Sequence, residues 1–120
     1  MALRMTDRDV SGVTVIDIEG RIVLGEESTA FREKVKSLLV AGKKKIVLNL
    51  STVSYVDSAG LGTLLATFHS ATSQGATLKL ENPDTKFKEL LQLTKLITVF
   101  DTYDNEALAV SSFKGKAAGL

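Results

Sequence analysis

Residues 45–68 read KIVLNLSTVSYVDSAGLGTLLATF, and the pattern changes character partway through. Up to Leu50 the side chains alternate, with Ile46, Leu48 and Leu50 on one face and Val47 and Asn49 on the other, which predicts a strand. From Asp57 the apolar positions switch to helical spacing. Leu61, Leu64, Leu65 and Phe68 line one side, Thr72 continues that side, and Gly75 ends the helix. Asp57 is a preferred N-cap residue, which places Ser58 in the first turn. A strand that hands over to a helix is the repeating unit of an α/β domain.

Working outward, the same alternation of elements recurs. A weak strand is expected over Leu3–Val10, and Ser11-Gly12 separates it from a β-branched strand over Val13–Glu19. Gly20–Glu26 reads as a loop, and Ser28 as the N-cap of a helix with Phe31, Val35, Leu38 and Leu39 on its apolar side and Gly42 as its stop. Ala76–Glu81 alternates, with Leu78 and Leu80 inward and Lys79 and Glu81 outward. Asn82-Pro83 signals a helix start, and Phe87, Leu90 and Leu91 supply that helix's stripe. A short strand at Ile97–Phe100 and a closing helix capped by Asp104, with Ala107, Leu108 and Val110, complete the order. The expected fold class is α/β: one domain over 1–113 with a mixed, mostly parallel sheet of four or five strands and about four helices. The tail 114–120 is expected to fray.

Composition narrows what such a domain does. The chain has 120 residues, 44% of them hydrophobic and 24% charged, as in an ordinary soluble domain. Fifteen Lys and Arg stand against fourteen Asp and Glu, so there is no charge excess of the kind a nucleic-acid binder carries. The absence of cysteine removes disulfides, thiolate metal sites and a thiol nucleophile, and a single histidine, His69, leaves no histidine cluster. No metal or cofactor is expected. The charged start, MALRMTDRDV, is unlike a signal peptide, and no apolar run is long enough to span a bilayer, so a cytoplasmic protein is expected.

Gly60 and Gly62 are the unexpected residues. Each costs a helix about 0.8–1.0 kcal/mol relative to alanine. Three benefits offset that: an uncovered Ser58 hydroxyl, backbone N–H groups at the positive end of the helix, and room for another backbone to approach. A purely structural alternative, a cap with tight helix–sheet packing, explains the same residues.

Asp57-Ser58-Ala59-Gly60-Leu61-Gly62, with the strand before it and the lead-in Val53-Ser54-Tyr55-Val56, resembles the signature of STAS domains, and most closely that of bacterial anti-sigma-factor antagonists. Val13–Gly20 with the following Arg21-Ile22, Gly42 with the lysines after it, and Glu106-Ala107-Leu108 extend the resemblance to about Met5–Phe113. The resemblance implies a partner switch. The serine matching Ser58 is phosphorylated by an anti-sigma factor that is itself a serine kinase, and a serine phosphatase reverses this. The unphosphorylated antagonist binds the anti-sigma factor and so releases a sigma factor. The docking surface so implied comprises Asp57, Ser58, Ala59, Gly60, Leu61 and Gly62, the loop residues Arg21, Ile22, Val23 and Glu26, and Asn82. Val23 departs from the family, which often has an acidic residue there. The protein is expected to be a monomer or weak dimer with no enzymatic activity and no direct contact with nucleic acid.

Other readings are weaker. A Ser58 nucleophile needs a base within about 2.6–3.2 Å, whereas His69 lies roughly 16 Å along the same helix. Gly60-Leu61-Gly62 is only a fragment of a dinucleotide fingerprint, so at most a weak nucleotide-binding module is indicated. A regulatory STAS subunit of a stress-sensing complex or lipid transporter is the remaining alternative.

Overall fold

A computed structural model describes the backbone of residues 3–118 and the side chains of residues 3–113. Its elements run β1 (Arg4–Val10), β2 (Val13–Ile22), α1 (Glu26–Val40), β3 (Lys45–Val56), α2 (Ser58–Ser73), β4 (Thr77–Glu81), α3 (Thr85–Leu93), a 3₁₀ turn (Leu96–Thr98), β5 (Thr102–Tyr103) and α4 (Glu106–Ala118). The strands lie in sequence order in one five-stranded sheet; β1 is antiparallel to β2 and all other neighbours are parallel. This is the mixed α/β architecture expected from the sequence. Ser11 and Gly12, at φ 53° and 86°, form the two-residue turn that an antiparallel pair requires. Each parallel step is instead bridged by a helix.

The two sheet faces are covered differently. Ile16, Ile18, Ile46, Leu48, Leu78 and Leu80 face α1, α2 and α3, whose Phe31, Leu64 and Leu91 close the larger core. Val13, Val15 and Val47 face the other way, against Ala109, Val110 and Phe113 of α4. Both faces of β2 and β3 are therefore buried, the usual state of parallel strands within an α/β sheet.

Several local expectations are corrected. The segment 20–26 is strand as far as Ile22, and the helix after it begins at Glu26 with Gly25, not Ser28, as N-cap. Ser28 is inside the first turn, where its hydroxyl donates to the Val23 carbonyl at 2.6 Å. Along α2 the buried side continues to Ala71, while Thr72 is exposed. Lys79 and Glu81 are not outward: both are buried because α4 covers their face of the sheet. Asn82 adopts a left-handed φ of 57° and turns the chain, so the cap of α3 is Asp84, whose side chain accepts from the Phe87 N–H at 2.8 Å. The apolar run at 97–100 lies across the 3₁₀ turn and the residues after it. The last strand is Thr102–Tyr103, tied to β4 by the Leu80 N–H to the Asp101 carbonyl and the Asn82 N–H to the Tyr103 carbonyl, both 2.9 Å. Asn105 rather than Asp104 caps α4, accepting from the Leu108 N–H at 2.9 Å, and Leu108 itself is exposed. The backbone of α4 runs to Ala118, and residues 119–120, the end of the tail expected to fray, lie outside the described ones.

Leu64 is fully buried at the centre of the larger core and Leu93 is 83% exposed at the end of α3. Leu64→Ala is expected to lower stability by about 2–5 kcal/mol. Leu93→Ala should stay within about 0.5 kcal/mol. Urea midpoints of the two variants check this.

Candidate functional site

The Asp57 turn sits where β3 ends, beside the end of β2. Its geometry is set by backbone contact. A Cβ on Gly60 would come within 1.9 Å of the Ile22 carbonyl oxygen, so only glycine lets the first turn of α2 rest on the end of β2. Asp57 completes the junction. Its Oδ1 accepts from the Gly60 N–H at 2.7 Å, its Oδ2 accepts from the Leu24 N–H at 3.2 Å, and its own N–H donates to the Ile22 carbonyl at 3.3 Å. These backbone donors, Gly60 first and Leu24 next, hold the Asp57 carboxyl below its ordinary value. One carboxylate thus fastens the turn after β2 to the start of α2.

The two glycines have different reasons. Gly60 is buried and required by the fold, as the structural alternative supposed. Gly62 is exposed, and a Cβ there would meet nothing within 4 Å. Its helix cost has no return inside the chain.

Ser58 is exposed at the rim of a groove of about 380 Å³ between the end of β3 and the start of α3. Val53, Tyr55, Leu61, Phe87 and Leu90 give the groove its apolar lining, while Asp57, Asp84 and Lys86 add its charges. Two carboxylates against one ammonium leave it without a basic cradle for an anion. The Gly60 N–H of the first turn is already taken by the Asp57 carboxylate, a negative charge of its own at the start of the helix.

The other predicted docking residues divide by exposure. Arg21, which lies across from Tyr55 in the β2–β3 register, and Glu26 are exposed; Ala59 and Val23 are half-buried. Ile22 is fully buried and offers only its carbonyl, and Gly60 and Leu61 are buried too. Asn82 is directed to the other side, its amide 3.5 Å from Asn49 Oδ1; the groove takes Asp84, Lys86 and Phe87 from that part of the chain instead. Leu24, 77% exposed beside Asp57, lies in the Gly20–Glu26 loop but is not among the loop residues that sequence reading singles out. A large aliphatic residue directly before the glycine of a turn was its only signal. His69 is exposed on α2, its ring edge-on to Phe68 at 5.6 Å. Among the described residues no group of His, Asp or Glu is arranged to hold a metal ion, and no helix is long and apolar enough to cross a membrane.

The family model "STAS domain" matches residues 5–109. The anti-sigma-B factor antagonist of Bacillus subtilis (strain 168) is 35% identical over 86 residues, which cover 72% of this chain and 77% of that protein. The crystal structure of the Thermotoga maritima protein tm1081 superposes with a TM-score of 0.83 at 28% identity, covering 90% of this chain and 92% of that one. The anti-sigma factor antagonist SpoIIAA in its unphosphorylated form has a TM-score of 0.71 at 19% identity, covering 93% and 99%, and therefore shares the fold.

Gly60→Ala is expected to destabilise the fold by at least about 1–3 kcal/mol, because rigid backbone stands where the methyl group would go. Gly62→Ala should stabilise it by about 0.5–1 kcal/mol through helix propensity alone. Denaturant titration of both variants separates the two roles. Because the Asp57 carboxyl is depressed, its contribution is present above the ordinary value of 3.8 and is lost as pH falls through the lower folded value. Asp57→Asn should flatten that part of the acid-unfolding curve, followed by circular dichroism.

Proposed function

The chain belongs to the STAS domain family, and we propose that within it the protein acts as an anti-sigma-factor antagonist whose binding is switched at Ser58. The observation that carries this reading is the exposure of Ser58 on a rigid, already capped helix start, next to an open apolar groove. The unmodified surface made by Ser58, Gly62, Leu24 and the groove docks on the anti-sigma factor. Gly62 lets the partner's backbone approach closely, and Tyr55, Leu24 and the groove provide the apolar area.

Phosphorylation adds a charge of about −2. Inside this chain little opposes it: Asp57 and Asp84 are of the same sign, Lys86 is the groove's one cation, and the helix end is already occupied by a carboxylate. Docking would then have to desolvate the phosphate at a cost of several kcal/mol. A penalty of only ~3 kcal/mol weakens binding more than a hundredfold. No refolding of the domain is involved. The kinase and phosphatase act on Ser58 from outside, because among the described residues no base is poised on that hydroxyl: His69 lies well along α2, and both Asp57 oxygens are engaged by backbone N–H groups.

Binding of Ser58→Ala and Ser58→Asp to the cognate anti-sigma factor tests the switch by calorimetry. Ser58→Ala should bind close to the unmodified protein and Ser58→Asp at least tenfold more weakly. Equal affinities would refute the charge mechanism, and phosphosite mass spectrometry showing another residue modified in native cells would move the switch elsewhere.

A further inference from the structure

On the face of the sheet away from the Ser58 groove, Glu81 is completely buried, and neither of its carboxyl oxygens has a hydrogen-bond partner. Buried carboxylates without donors are rare, because an unpaired anion in a low-dielectric interior is strongly disfavoured. The charged and titratable groups around it are Arg8 on β1, Asp17 on β2, Glu106 on α4, and Lys79 and Tyr103 along β4 and β5.

The nitrogen donors on this face all bond to other groups. Arg8 spends its guanidinium on two other carboxylates: Nε and Nη2 donate to Asp17 at 2.6 and 2.9 Å, and Nη1 and Nη2 donate to Glu106 at 2.9 and 2.5 Å. Asn49 Nδ2 donates to Asp17 at 2.8 Å. The Lys79 ammonium donates to Ser112 Oγ at 2.7 Å and stands 4.4 Å from the centre of the Phe113 ring. If Glu81 were ionised, three carboxylates would share one guanidinium and the innermost would have no donor at all. One proton removes the conflict. A neutral Glu81 supplies its own O–H, and the Glu106 carboxylate, fixed by Arg8, is positioned to accept it.

We propose that Glu81 keeps its proton in the native fold well above the pH at which an ordinary glutamate loses it, and that the hydrogen bond it donates to Glu106 fastens the first turn of α4 to the sheet. Burial, followed by the neighbouring Glu106 carboxylate, pushes the Glu81 carboxyl up to about 7, while Arg8 holds Glu106 down. The sign of the linkage follows. Below the ordinary value of 4.5 Glu81 is protonated whether or not the chain is folded; above it the unfolded chain releases a proton that the native state keeps. Stability therefore falls as pH rises from about 4.5 to about 7 and levels off beyond. The α4 attachment is a proton-dependent latch working close to neutrality.

Two measurements on the full chain test this. A carbon-13 NMR titration of the side-chain carboxyls should show Glu81 titrating near neutrality, and Glu106 well below it. In parallel, the folded-to-unfolded ratio should drop by roughly two orders of magnitude between pH 5 and pH 8 in the unmodified protein. Glu81→Gln, whose amide can donate to Glu106 at any pH, should remove that drop. A Glu81 carboxyl titrating in the ordinary glutamate range overturns the proposal, as does an equal pH dependence in the two proteins. If Glu81→Gln does not fold, the NMR titration alone decides.

Discussion

The contact on which the rest depends is the one between the Gly60 α-carbon and the Ile22 carbonyl. It is an approach of backbone to backbone with no room for a side chain, and it fixes how far α2 advances over the end of β2. With that distance set, Asp57 reaches N–H groups on two separate segments, and Leu61 and Leu64 drop into the core. Ser58, one residue into the helix, is left outside. A single glycine thus fixes the position of the Ser58 hydroxyl without touching it, and Gly62 lies exposed on the outer side of the same turn.

The charge pattern divides the molecule in two. Around Ser58 the charges are sparse and of mixed sign: Asp57 and Asp84 against Lys86. On the opposite face the charges are denser: Lys79 and Glu81 are buried, and Arg8, Asp17 and Glu106 stand partly exposed at the edge of that face. There Arg8 joins Asp17 to Glu106 and so ties β1, β2 and α4 together, while Lys79 is lodged between Ser112 and the Phe113 ring. Groups of that kind serve architecture; exposed ion pairs such as Arg4–Glu19 contribute little by comparison.

Much of this was legible in the residues, and the exceptions have a common cause. Alternation at 46–50 and helical spacing at 61–68 are local properties, so β3, α2 and the Asp57 cap could be read directly. The sheet face under α4 could not. Lys79 and Glu81 alternate with leucines exactly as solvent-facing residues would, and only the return of a helix some 25 residues later, which is a tertiary event, buries them. Caps were displaced by one to three positions for a similar reason. Ser28, Asn82 and Asp104 are all good capping residues, but Gly25, Asp84 and Asn105 have the backbone placement that the helices use. For the site, the motif indicated which turn matters but not which wall faces it. The groove's second wall comes from α3, brought there by the β3–α2–β4 crossover.

The turn at Ser11-Gly12 has a consequence for how the chain reaches this structure. β1 and β2 are joined by two residues, so pairing them closes almost no loop, whereas each parallel neighbour must wait for an intervening helix. The hairpin is therefore the pairing of this sheet with the smallest loop-closure cost. Its register, with Arg8 opposite Val15 and Thr6 opposite Asp17, sets Arg8 diagonally beside Asp17, the local pair to which Glu106 of α4 is joined from far along the chain.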